Sequence, residues 1–230
     1  MMPSSTPVLP AFAAVILDMD GLVLDSEATY CHAWRQAAAD VGHALDEAFF
    51  EPLFGRHADD VVRALAERLG PGFERNTFFR AAERHWFDLI EAQGIPPMPG
   101  VEDLLELLRQ RAIPFALATN SDGHYARQCL KRGGLHEAFS VLVTRDQVAQ
   151  GKPAPDVFLE AARRLGVTPA QCVVLEDSET GLLAARAAGM HPVLIQRRES
   201  LRVKLRPHAL LALASLIDFA GLIGNEGRPL

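Results

Sequence analysis

The stretch Ala11-Phe-Ala-Ala-Val-Ile-Leu-Asp18-Met-Asp20-Gly-Leu-Val-Leu-Asp25-Ser26 decides the fold. Val15, Ile16 and Leu17 form an unbroken aliphatic run, the pattern of a strand buried on both faces of a parallel sheet. The run ends directly on two carboxylates, Asp18 and Asp20. In extended chain, residues two apart point to the same side and lie about 6.6 Å apart. Both carboxylates are therefore expected to project together from the carboxyl end of the strand, the end where ligands bind in open α/β sheets. Gly21 then permits a sharp turn.

Beyond this stretch the character of the chain changes. From about Glu27 to Gln93 the pattern is helical, with no strand signal. Ala33, Trp34, Ala37, Ala38 and Val41 recur at helical spacing and stop near Gly42. Val61, Val62, Leu65 and Leu69 stop at Gly70, and Phe78, Phe79, Trp86, Leu89 and Ile90 stop before Gly94. Pro96-Pro-Met-Pro99-Gly100 cannot continue a helix.

From Val101 helices and strands alternate. Helices are predicted over Val101–Arg111, Tyr125–Lys131, Pro155–Leu165 and Gly181–Ala188. Strands are predicted over Ile113–Ala118, Phe139–Val143, Cys172–Leu175 and His191–Ile195, and Ala209 to Gly224 reads as a final strand and helix. This alternation predicts an α/β fold, a doubly wound, Rossmann-like parallel sheet, with an inserted all-α helical cap domain. The expected divisions are 8–25 and 98–224 for the discontinuous core, 26–97 for the cap, and 1–7 and 225–230 for flexible tails.

Composition narrows the function classes. The 230 residues are 49% hydrophobic and 23% charged, as in ordinary soluble globular proteins. A net charge of −6 argues against nucleic-acid binding and requires local cations to hold any anionic substrate. The basic run Arg197-Arg198, Arg202, Lys204, Arg206 reads as a solvated loop. Cys31, Cys129 and Cys172 are scattered, which fits a reducing cytoplasm better than a disulfide scaffold or a zinc site. Met-Met-Pro-Ser-Ser-Thr-Pro lacks the basic and apolar regions of a signal peptide. Ala209 to Gly224 is short for a bilayer span and carries Asp218, so no membrane partner is expected. A monomer is compatible with these features.

Polar groups gather at the predicted strand ends: Asp18 and Asp20 after the first, Thr119-Asn120-Ser121 after the second, Glu176-Asp177-Ser178 after Val173-Val174-Leu175. Lys152 sits in the stiff loop Gly151-Lys-Pro-Ala-Pro155. In a doubly wound sheet these ends meet at one crevice. Four carboxylates cannot remain charged together without a cation, and Mg²⁺ suits carboxylates, water and a phosphate. The set matches phosphoryl transfer to a carboxylate nucleophile, with Lys⁺ and Mg²⁺ reducing like-charge repulsion and a second acid moving protons. Thr119-Asn120-Ser121 also reads as a helix N-cap, Ser178 as the cap of the next helix, and Asp156 as an early-helix acid. Arg56, in Leu53-Phe-Gly-Arg56-His57, follows a glycine near a helix start, where a loop can point it at substrate. Trp34 and Trp86 fall on apolar stripes.

The stretch Asp18-Met-Asp20-Gly-Leu-Val-Leu-Asp25-Ser-Glu27 resembles the first motif of the haloacid dehalogenase-like phosphohydrolases. Thr119-Asn-Ser, Lys152-Pro-Ala-Pro-Asp156 and Glu176-Asp-Ser-x-x-Gly181 resemble its second to fourth motifs, in order. The resemblance implies Asp18 as nucleophile and Mg²⁺ ligand, and Asp20 as general acid/base with its backbone carbonyl on the metal. It implies Thr119 and the Asn120 amide on the phosphoryl group and Lys152 bridging that group to Asp18. Asp177 would be a direct metal ligand and Glu176 a ligand or an outer partner. The helical insert would be a mobile cap carrying specificity. The implied activity is a Mg²⁺-dependent phosphatase acting on a small phosphorylated metabolite such as a phosphosugar. The alternative is a β-phosphoglucomutase-type mutase. Mutases of that branch carry a cap histidine and a cap lysine, where this chain has Tyr30 and Phe54; residues 27–97 contain no lysine, which also weighs against a phosphonatase.

Overall fold

The computed structural model describes residues 9–53 and 58–225. The chain divides into two compact units, one formed by the chain up to Leu24 and from Pro97 onward, the other by Asp25–Pro96. In chain order the elements are β1 (Ala14–Leu17), α1 (Ser26–Ala39), α2 (Glu47–Phe50), α3 (Ala58–Leu69), α4 (Arg75–Gln93), α5 (Val101–Gln110) and β2 (Phe115–Ala118). They continue with α6 (Gly123–Arg132), β3 (Leu142–Val143), α7 (Asp156–Leu165), β4 (Cys172–Glu176) and α8 (Glu179–Ala187). The last are β5 (His191–Ile195), α9 (Glu199–Leu205), β6 (Leu211–Leu213) and α10 (Leu216–Asn225).

The first unit is a six-stranded sheet in the order β3-β2-β1-β4-β5-β6, with every pairing parallel. Ile16 lies opposite Ala116 on one side and Val174 on the other. Both β1 and β4 are wholly buried, so the aliphatic runs Ala-Val-Ile-Leu and Cys-Val-Val-Leu place side chains in apolar layers on both faces. One such layer joins Ile16, Ala116, Val143, Phe158, Val174 and Ala185. The chain runs from β1 outward to β3 and then returns to β4, so the switch point lies between β1 and β4, and the crevice opens at their carboxyl ends.

The expected α/β architecture is the observed one, with differences of detail. β3 is two residues long, because Phe139 stands outside the ladder and packs edge-on against Phe115 at 5.8 Å. The basic run expected to be a solvated loop is largely helical, forming α9, with Leu205 as its only buried residue. Its arginines serve backbone carbonyls: Arg202 donates to the Gln196 carbonyl at 2.8 Å, and Arg206 to those of Ala209 and Leu210, both at 3.3 Å. Among the described residues, no helix is long and apolar enough to cross a membrane. Cys31, Cys129 and Cys172 are buried and form no disulfide. The stretches expected to be tails lie outside the described residues, apart from Asn225, the last residue of α10.

Among its described residues, the regular elements of the Asp25–Pro96 unit are all helices. Its two ends meet in a hydrogen bond from Asp25 N to the Pro96 carbonyl at 2.9 Å. Its core joins Cys31, Ala38, Phe50, Leu65, Phe78 and Ala82, with Trp34 packed against it. Trp86 is buried, stacks on Tyr30 at 5.2 Å, and donates from Nε1 to Thr29 Oγ1 at 2.9 Å. Trp86 thus belongs to the interior of this unit, and Trp34 packs half-buried against its core.

Candidate active site

Asp18 follows β1 directly, and its amide donates to the Leu175 carbonyl at 3.1 Å, tying it to the end of β4. Its carboxylate is buried, and Oδ1 accepts from Lys152 Nζ. The same ammonium donates to Glu176 Oε1 at 2.6 Å and to the Ala118 carbonyl at 3.0 Å, and it lies 4.8 Å from the Phe158 ring centre. Burial alone would lower the Lys152 pKa, but the charges of Asp18 and Glu176 hold it above the ordinary lysine value, so the side chain stays cationic. Burial pushes the Asp18 carboxyl up; Lys152 opposes this, and repulsion from Glu176 and Asp20 adds to it, leaving the pKa at about 7. One buried ammonium does not neutralise this group of carboxylates.

Asp18, Glu176 and Asp177 each offer a carboxylate oxygen, and these three oxygens lie within 4.8 Å of one another. An all-oxygen, carboxylate-rich set with a charge deficit suits a hard divalent cation. The three residues contribute unequally. Glu176 is fully buried and already engaged: Oε1 binds Lys152, and Oε2 accepts from Ser178 Oγ at 2.8 Å and from the amides of Asp177 and Ser178, both at 3.2 Å. Ser178 also caps α8, accepting from Gly181 N at 3.1 Å, as its position at a strand end suggests. Gly181 leaves room for the Glu176 carboxylate, which a Cβ at that position would overlap. Gly21, at φ +81°, does the same for Asp177: its own Cβ would meet the Asp177 carboxylate. Two glycines of the motifs are therefore spaces for carboxylates.

Thr119 directly follows β2, fully buried, with Oγ1 accepting from Ser121 N at 3.0 Å. The Asn120 side chain clamps the lysine loop: Oδ1 accepts from Lys152 N at 2.7 Å, and Nδ2 donates to the Lys152 carbonyl at 3.1 Å. The N-cap of α6 is Asp122, which accepts from His124 N and Tyr125 N at 2.9 and 3.0 Å; Thr119-Asn120-Ser121 precede the cap instead of forming it. Asp156 is the first residue of α7 and accepts from Gln150 N at 3.0 Å.

The Asp20 carboxylate is not one of the three that converge. Its Oδ2 accepts from Ser121 Oγ at 2.9 Å, and Oδ1 faces the Tyr125 hydroxyl at 3.4 Å. Sequence reasoning overlooks this pair of hydroxyls; the available signal is their spacing of four residues across the start of α6. Arg56, the candidate substrate contact, lies outside the described residues, as do Phe54 and His57.

The sheet order and this cluster define a doubly wound α/β protein whose strand-end crevice sets a buried lysine among three carboxylates. The haloacid dehalogenase-like hydrolase family model matches residues 12–189, and the chain belongs to that family. It is 35% identical over 182 residues to fructose-1-phosphate phosphatase YqaB of Escherichia coli K12, covering 79% of this chain and 95% of that protein. It is 33% identical over 184 residues to a phosphorylated carbohydrates phosphatase of Thermotoga maritima, covering 78% of this chain and 83% of that one. Among solved structures, a haloacid dehalogenase family hydrolase from Deinococcus radiodurans R1, with bound phosphate and sodium, superposes with a TM-score of 0.80 at 28% identity, covering 93% of this chain and 96% of that chain.

Proposed function

We propose that this protein is a Mg²⁺-dependent phosphatase that hydrolyses a small phosphate monoester of the phosphosugar class through an aspartyl-phosphate on Asp18. The observation carrying this reading is the Lys152 ammonium shared between Asp18 and Glu176, beside the Asp177 carboxylate. Lys152 holds Asp18 by Oδ1 and orients its second oxygen for in-line attack on phosphorus. Lys152 and Thr119, with the Asn120 amide, bind the equatorial phosphoryl oxygens. As the new P–O bond forms on Asp18, the ester P–O bond breaks, and Asp20 gives its proton to the leaving oxygen. Asp20 then takes a proton from water, whose oxygen attacks phosphorus and releases inorganic phosphate and free Asp18. Asp18, Asp177 and the Asp20 carbonyl would hold Mg²⁺, with Glu176 as an outer partner through Lys152; when bound, the ion supplies positive charge against the repulsion between Asp18 and the phosphoryl group.

The phosphosugar class is supported by the two phosphatases named above, which act on fructose 1-phosphate and on phosphorylated carbohydrates. We assign substrate selection to the Asp25–Pro96 unit acting as a cap, since the residues gathered at the strand ends account for phosphate and metal alone. The protein's buried thiols, Cys31, Cys129 and Cys172, fit a reducing cytoplasm, where we propose that it works as a monomer. The test is phosphate release from 4-nitrophenyl phosphate and a panel of phosphosugars, with Mg²⁺ and with EDTA. Wild type should require Mg²⁺, and Asp18→Asn should be inactive while folding normally. Equal turnover by Asp18→Asn would overturn the reading.

A further inference from the structure

Asp20 lies just beyond β1, half-buried. Its carboxylate is approached on both oxygens by hydroxyls from one segment, Ser121 at 2.9 Å and Tyr125 at 3.4 Å. Ser121 lies just before the extended Asp122 cap and Tyr125 in the first turn of α6, so one donor from the loop and one from the helix reach one carboxylate. Each donor is itself fixed. Ser121 donates from its amide to Thr119 Oγ1 at 3.0 Å and accepts at its carbonyl from Arg145 N at 3.0 Å. Tyr125 is held through the Asp122 cap, which accepts from its amide at 3.0 Å. One turn further on, the thiol of Cys129 is fully buried beside Tyr125. Burial pushes that thiol up to about 12, so Cys129 stays neutral. Tyr125 and Cys129 thus share one side of α6, and Ser121, just ahead of its cap, meets Tyr125 at Asp20.

We propose that Ser121 and Tyr125 are positioning residues that fix the Asp20 carboxylate in the orientation from which it delivers a proton to the leaving oxygen. This rests on the phosphatase reading and on Asp20 as its proton carrier. Ser121 is the firm anchor, because 2.9 Å is a full hydroxyl–carboxylate hydrogen bond, while the longer Tyr125 contact limits rotation of the other oxygen. A misplaced acid slows only those reactions that need one. General acids contribute on the order of 10²–10⁴ in rate, and proton delivery matters least when the leaving group is already stable as an anion.

The test is a series of aryl phosphates from 4-nitrophenyl to unsubstituted phenyl, assayed with saturating Mg²⁺. Ser121→Ala should lower kcat/KM, which reports phosphoryl transfer to Asp18 and not the later attack by water, on the order of tenfold for phenyl phosphate and leave that for 4-nitrophenyl phosphate nearly unchanged, steepening the leaving-group dependence. Tyr125→Phe should do the same more weakly, and Ser121→Thr should restore the wild-type slope. An equal loss across the series, or no rescue by threonine, would overturn the proposal. A second readout needs no activity: in a crystal structure of Ser121→Ala/Tyr125→Phe the Asp20 side chain should leave its orientation or occupy two, and one unchanged orientation overturns the proposal. A wild type inactive on the whole series instead overturns the phosphatase reading. Asp20→Asn losing kcat/KM equally across the series removes Asp20 as the acid, and the proposal with it.

Discussion

Replacing Lys152 with methionine isolates the electrostatics of the site. The ammonium is shared by Asp18 Oδ1, Glu176 Oε1 at 2.6 Å and the Ala118 carbonyl at 3.0 Å, and its stem is buried. Methionine keeps a long apolar stem, so Lys152→Met removes one charge and leaves little cavity. Two buried carboxylates then face each other with no side-chain counterion between them. Removing one partner of a buried ion pair costs about 3–5 kcal/mol, and 1 kcal/mol shifts Tm by about 2–4 °C in a chain of this size. The metal-free variant should therefore melt about 6–20 °C below wild type at pH 8.

The pH dependence has a definite sign. Asp18 in the folded wild type is pushed up to about 7, chiefly by burial, well above the ordinary aspartate range. A carboxyl with a raised folded pKa binds its proton more tightly when folded. Its contribution is fully present below the unfolded pKa and is lost as pH rises through the folded one. Without Lys152 the Asp18 value rises further, so at pH 5 the carboxyl is protonated and the missing ammonium matters little. The Tm gap between wild type and Lys152→Met, measured by thermal or urea unfolding in EDTA, should be narrow at pH 5 and widest at pH 8. The double variant Lys152→Met/Glu176→Gln, which also removes the facing charge, should recover most of the loss. A gap that is constant between pH 5 and 8, or that widens in acid, would refute the reasoning.

Mg²⁺ at a hundredfold excess over its Kd should stabilise the wild type by about 2.7 kcal/mol, raising Tm by about 5–11 °C, and Asp177→Asn should lose most of that shift in the same melt. Gly181→Ala drives a methyl into the Glu176 carboxylate and should cost about 1–3 kcal/mol by urea unfolding, with a loss of Mg²⁺-dependent activity as Glu176 moves off Lys152. If this variant unfolds at the wild-type urea midpoint, the packing argument for Gly181 is wrong. Thr29→Val takes away the oxygen that accepts from Trp86 Nε1 in the helical unit. It should cost about 1–3 kcal/mol in stability, and a red shift in tryptophan emission on the way to unfolding reports it.

The parts of this molecule that are legible in its sequence share one physical cause: residues placed where an ordinary globular chain would not put them. Asp18 ends an aliphatic run whose other members are wholly buried, and Lys152 lies in a stiff loop yet is itself buried. Such residues are tolerated only if they find each other, so reading strand ends as one crevice places Asp18, Lys152, Glu176 and Asp177 together before any coordinates are known. Where burial and periodicity give no signal, legibility fails. α9 has one buried residue and a run of charges, so its pattern cannot be told from a loop until its arginines are seen serving carbonyls. The partners of Asp20 are hidden for a subtler reason. Ser121 and Tyr125 are ordinary polar residues, and they converge on one carboxylate only once the phase of α6 is set. That phase depends on whether the helix starts from Thr119-Asn120-Ser121 or from Asp122, a difference of one to three residues. Each residue turns a helix by about 100°, so an error of two residues points Tyr125 away from Asp20 altogether. Motif spacing therefore identifies the charged groups of this site, while the neutral hydroxyls that orient them become visible only when the cap at Asp122 is in place.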